Sequence, residues 1–195
     1  MEAETTKRVK ANERLTVLTG ILLVVLLGAM LLTATEVRRL LVEHFFLGLL
    51  LLPAIALKMA STGWRFMRYY LRDKEYRAAG PPVLWMRLLA VVVVASTVVL
   101  FASGVELWAF GLRFGSTWVE MHKLSFTIWL PTVGLHVLGK LMQTLRGAKE
   151  EMTAEANSAT ITRRSLVVAS LLAGVALAVA SLSYASPFIF FRDGG

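Results

Sequence analysis

Hydrophobic and polar positions in this chain separate into long blocks instead of alternating. Apolar runs cover Leu15–Thr33, Leu40–Met59, Leu88–Phe110, Trp118–Leu141 and Ser165–Tyr184. Each is close to the twenty or so residues that a helix rising about 1.5 Å per residue needs to cross a hydrocarbon core of about 30 Å. The pattern predicts an all-α integral membrane protein with five transmembrane helices. It divides the chain into a polar N-terminal segment (1–14), a four-span block (15–141), a polar linker (142–164), and a fifth span with a short tail (165–195). Lys7, Arg8, Lys10 and Arg14 precede the first run as they would in a signal peptide. No small-residue cleavage site follows it, so this run is read as a helix.

Charge fixes the expected orientation. The chain carries a net +8, and most of this positive charge falls before the first span, between the second and third, and between the fourth and fifth. With those segments in the cytoplasm, only Arg38, Arg39, Arg113, Lys123 and Arg192 of the 21 lysines and arginines lie outside. The positive-inside rule then predicts N-terminus in and C-terminus out. Trp64 and Trp85 fall at the inner interface and Trp108 and Trp118 at the outer one, as an aromatic belt requires. The basic excess is thus accounted for by contact with membrane lipid, and no nucleic-acid partner is expected. The segment from Ser61 to Pro82, with Arg65, Arg68, Arg72, Lys74 and Arg77, reads as a basic, tyrosine-rich extension of the second helix. Glu150, Glu151 and Glu155 mark the 142–164 stretch as a surface linker, and Arg163 and Arg164 anchor the fifth span.

Candidate chemistry comes from a few ionisable residues at membrane depth, which are functional candidates by default. His44 and Lys58 are fourteen residues apart in the second span, as are His122 and His136 in the fourth. Fourteen helical steps rise roughly 21 Å and return nearly to the same face. The second and fourth spans run in the same direction, and His44 and His122 each lie near the start of theirs, so their depths match. Two such imidazoles can grip one haem iron from opposite sides, which suits electron transfer. The chain has no cysteine, which excludes disulfides, thiolate zinc sites, cysteine-held iron–sulfur clusters and covalent haem attachment. Arg39 and Lys123 are cations placed to pair with haem propionates, and Gly48 would let a macrocycle approach the backbone. The plainer alternative is a pair of interfacial histidines bonding headgroups or each other.

His136 and Lys58 share a second depth near the inner face, where His136 could hold a second haem. Lys58 could ligate the iron in its neutral form, or stay charged and bind a propionate or a quinone carbonyl. Pro53 and Pro131 lie inside the two helices and loosen the register. Glu106 and Glu120 near the outer face could relay protons or simply be solvated there.

The stretch from His44 through Gly48 and Pro53 to Lys58, and that from His122 to His136 closing in His-Val-Leu-Gly-Lys at 136–140, resemble bacterial cytochrome b561-like membrane proteins. More narrowly, the chain is similar to the membrane module of actinobacterial molybdopterin-dependent oxidoreductases. The resemblance implies a four-helix, up-down haem b bundle in the bacterial cytoplasmic membrane, with His44, His122 and His136 as ligands. It also implies electron exchange between the quinone pool and an extracytoplasmic redox partner, such as a molybdopterin enzyme on a separate subunit. Relatives with two complete haem sites carry a second histidine where this chain has Lys58. Two readings from other classes stand beside it, a haem-free scaffold and a proton-coupled transporter with His136 and Lys58 on its path.

Overall fold

The computed structural model describes residues 2–80, 83–184 and 186–188, with the side chains of residues 2–7 left aside. Lys7, Pro82, Arg192 and the tail beyond Phe188 therefore lie outside the description. The described residues form six helices: α1 (Glu2–Thr35), α2 (Leu41–Tyr70), α3 (Lys74–Ala78), α4 (Leu84–Phe110), α5 (Thr117–Met152) and α6 (Ser158–Ser181). All but α3 are long and apolar enough to cross a membrane, the character of a multi-pass membrane protein.

α4 packs along α5, and α2 along both α1 and α6; shorter contacts join α1 to α5, α1 to α6 and α2 to α4. Each of α1, α2, α4 and α5 therefore touches two of the other three, while α6 lies against α1 and α2. Lipid is as apolar as leucine, so these contacts rest on close fit and on interhelical hydrogen bonds worth roughly 0.6 kcal/mol each. Between α1 and α6 on one side and α2 on the other, fit dominates. Leu23, Leu51, Ala54 and Ile55 form one buried cluster. Ser170, Gly174 and Ala178, all buried at four-residue spacing on α6, turn a small-residue stripe to their neighbours. A methyl on Gly174 would run into the Leu50 carbonyl, so the backbones of α2 and α6 meet there because Gly174 has no side chain.

Polar groups tie α1 to α2 near the N-terminal end. Asn12 Nδ2 donates to the Ser61 carbonyl at 3.1 Å, Thr16 to the Ser61 hydroxyl at 3.1 Å, and Arg65 to Glu13 at 2.8 Å. Pro53 and Pro131 sit inside helices that continue through them. The extension of α2 runs to Tyr70, as its basic, aromatic composition suggests. Asp73 then caps α3 by accepting from the Glu75 amide at 3.0 Å.

The polar segments at 1–14 and 142–164 are largely helical. The first is helical from Glu2. Most of the second is helix too: α5 continues to Met152, and Asn157 caps α6 by accepting from the Thr160 amide at 3.0 Å. Only Thr153–Asn157 separates the two helices. The physical reason is Glu151. It is 1% exposed, and its carboxylate takes both oxygens' bonds from Arg163, at 2.9 and 3.1 Å. Arg164 donates to its carbonyl at 2.5 Å, and Arg14 of α1 stands 3.9 Å from the carboxylate. Glu151 is therefore the carboxylate that joins α1, α5 and α6, not a surface residue.

Candidate functional site

His44 of α2 and His122 of α5 meet, although their helices share no extended contact. Their ring centres are 6.3 Å apart with the planes at 83°. Each ring is held through one nitrogen. The hydroxyl of Thr33 on α1 lies 2.8 Å from the Met30 carbonyl and 3.2 Å from His44 Nδ1. His122 Nδ1 lies 3.0 Å from the Leu100 carbonyl of α4, which can only accept. Ser103 gives its proton to the Val99 and Leu100 carbonyls and sits 3.1 Å from the same nitrogen. The Leu100 carbonyl thus holds His122 with its proton on Nδ1, which leaves an Nε2 lone pair on that ring.

Those rings line a cavity of about 790 Å³ bounded by α1, α2, α4, α5 and Phe188. That volume is within the range of about 300–1,000 Å³ that takes one sizeable organic ligand. The wall is apolar; among the described lining residues, the titratable ones are Arg38, His44, His122 and Lys123. One glycine from each of α1, α2, α4 and α5 shapes it: Gly28, Gly48, Gly104 and Gly134. A methyl on Gly28 or Gly134 would meet no atom within 4 Å, so it would occupy open space. A methyl on Gly104 would press on the His122 ring at 3.2 Å. Phe126 and Trp129 form a stacked pair in the wall, their ring centres 6.4 Å apart. The Trp129 indole is pinned by donating to Thr97 at 2.8 Å.

A metal atom bonded on each side to one imidazole nitrogen at about 2 Å would hold the two ring centres roughly 6 Å apart. The observed pair already has that spacing. Among the described residues no group of three or more histidines, cysteines or carboxylates stands ready to hold a metal ion.

Of the sequence-predicted residues, His44, His122, Gly48 and Lys123 line this cavity. Arg39 does not. It is exposed in the turn after α1, and Arg38 lines the cavity instead, because the helix stops at Thr35 and the register cannot be carried across the turn. Lys58 is also elsewhere: its ammonium donates to the Thr16 carbonyl at 2.6 Å, against Gly20. His136 lies off the cavity while Val133, Gly134 and Val137 line it. Fourteen steps fall roughly 40° short of whole turns, enough to turn His136 aside. The sequence reading missed Thr33, Ser103 and Gly104. The sequence offered glycines in every span but nothing that set Gly28, Gly48, Gly104 and Gly134 apart as cavity residues, and no sequence signal placed Thr33 beside His44.

No protein-family model matches the chain, and neither does any of the curated proteins or solved structures with which it was compared. The functional reading therefore rests on the residues themselves.

Proposed function

We propose that this protein is a membrane b-type cytochrome that carries electrons between the quinone pool and a redox partner on the extracytoplasmic side. In this reading α1, α2, α4 and α5 form an up-down bundle around one haem b, with α6 as a flanking helix. The observation that carries it is the His44–His122 pair: two rings at ligand spacing, each contacted at Nδ1, both lining one apolar cavity. His44 and His122 would hold the iron. Arg38 and Lys123 would face the propionates, and the four glycines would admit the ring. Haem in such a site supplies a one-electron couple.

The chain's own contribution is positional. The Leu100 carbonyl holds His122 in the tautomer that ligation needs, and Thr33 contacts His44 at Nδ1, so the imidazoles are preorganised before anything binds. The apolar wall excludes water, and Phe126 and Trp129 close one side. The positive-inside distribution supports a cytoplasmic N-terminal face, with the histidines toward the outer side of the bacterial cytoplasmic membrane. An extracytoplasmic partner, a molybdopterin oxidoreductase among the candidates, would then dock nearest to them.

The test is spectroscopic. Protein purified in mild detergent is expected to show dithionite-reducible, low-spin b-haem bands, and the pyridine haemochrome assay should give one haem per chain. Colourless protein from haem-replete cells would overturn the reading.

A further inference from the structure

A second constellation lies further along α5, toward its C-terminal end, and is not used by the histidine pair. Lys58 on α2 and His136 and Lys140 on α5 bear on one another electrostatically. No carboxylate forms an ion pair with either lysine among the described residues. Lys58 spends one of its three protons on the Thr16 carbonyl. Lys140 donates to Gln143 at 3.1 Å at the surface. His136 Nδ1 is buried and has no hydrogen-bond partner, a cost of about 1–3 kcal/mol for a group of this kind unless something supplies one.

What could supply it is constrained by the surroundings. His136 and Lys140 are half-buried, flanked by the exposed apolar side chains of Leu135, Leu138 and Leu141, so the cluster borders the lipid-facing surface. The orphaned nitrogen itself is covered. A phosphodiester would have to shed its hydration to reach it, at heavy cost. An oxygen acceptor carried on a flat apolar ring would not. We propose that His136 and Lys58 form the head-group site of a membrane quinone, donating hydrogen bonds to one of its carbonyl oxygens. Lys140 adds positive charge, and the isoprenoid tail runs out past Leu135 and Leu138. This inference rests on the electron-carrier reading for its choice of ligand, and it assigns His136 to the quinone and not to a second haem.

The experiment is calorimetric titration of decyl-ubiquinone, and separately of menadione, into the full-length protein in phosphatidylcholine nanodiscs. Saturable binding is expected. His136→Phe and Lys58→Met should each weaken it at least tenfold, and His136→Gln, which keeps a hydrogen-bonding amide, should recover most of it. Arg39→Gln, on the exposed turn after α1, should leave it intact. Gel filtration and helical circular dichroism establish that each variant is folded. Coloured protein whose quinone affinity is unchanged in both His136→Phe and Lys58→Met overturns this site alone. Colourless protein that still binds quinone through these residues overturns the haem reading alone. A haem-to-protein ratio of two that falls to one in His136→Phe makes His136 a ligand and overturns the proposal. So does quinone binding that is suppressed in phosphatidylglycerol discs but restored there by Lys58→Met, which would give the site to a lipid phosphate.

Discussion

The two ends of the molecule treat buried polarity in opposite ways. At the N-terminal end, Glu151 is surrounded by Arg163, Arg164 and Arg14, with Thr160 accepting from Arg163 at 3.0 Å. There the charges are consumed by one another, and the result fixes α1, α5 and α6 together. At the other end, His44 and His122 are restrained by a hydroxyl and a carbonyl that engage one nitrogen of each ring and no more. Both rings line the cavity. The difference is that between charges met by one another, which hold structure even though Arg163 Nε lacks a partner, and rings engaged on one side only, which we propose receive a ligand.

Breaking each end should therefore have a different signature. The largest expected effect is at the receptor end, where His122→Ala should abolish the low-spin haem spectrum while the protein remains a folded helical membrane protein by circular dichroism. Retained low-spin bands would remove His122 from the ligand set. Next comes the fastening. Glu151→Gln leaves Arg163 buried without its counter-charge, which for a buried pair costs about 3–5 kcal/mol. Thermal denaturation in detergent should show a markedly lower midpoint, with haem content per folded molecule unchanged. If haem is lost in proportion to stability, the two ends are not independent.

Smaller changes sharpen the comparison. Thr33→Val removes the hydroxyl beside His44 Nδ1 and should lower haem affinity by about 10–100-fold, the usual cost of losing an outer-shell partner of a metal ligand. Ser103→Ala should cost less, because the Leu100 carbonyl still holds the His122 ring; equal effects would mean that the hydroxyl, not the carbonyl, sets the tautomer. The smallest contrast is between neighbours: Arg38→Gln should shift the haem midpoint potential measurably, while Arg39→Gln should leave it where it is. Potentiometric titration of both variants decides it.

These expectations depend unequally on what could be read from the chain. The five long helices were legible because a run of about twenty apolar residues has few other stable fates. The meeting of His44 and His122 was legible because both lie one turn into helices running the same way. Helix ends were less so. The polarity of Arg146–Ser158 suggested a surface linker, yet helical hydrogen bonds do not require an apolar surface, and Glu151 is buried by arginines of α1 and α6. Arg38 and Arg39 could not be told apart, since the side chain that turns inward is set by the turn between α1 and α2.

By itself, the sequence determined the helical class, the number of long apolar helices and the pairing in depth of two imidazoles, because hydrophobic run length and helical rise are properties local to each segment. Only the tertiary structure decided which nitrogen of each ring is contacted, that His136 turns away from the cavity while a glycine from each of four helices opens it, and that Glu151 is interior. Those outcomes depend on rotation of each helix about its axis and on partners far along the chain. Such quantities arise only when all the helices pack together.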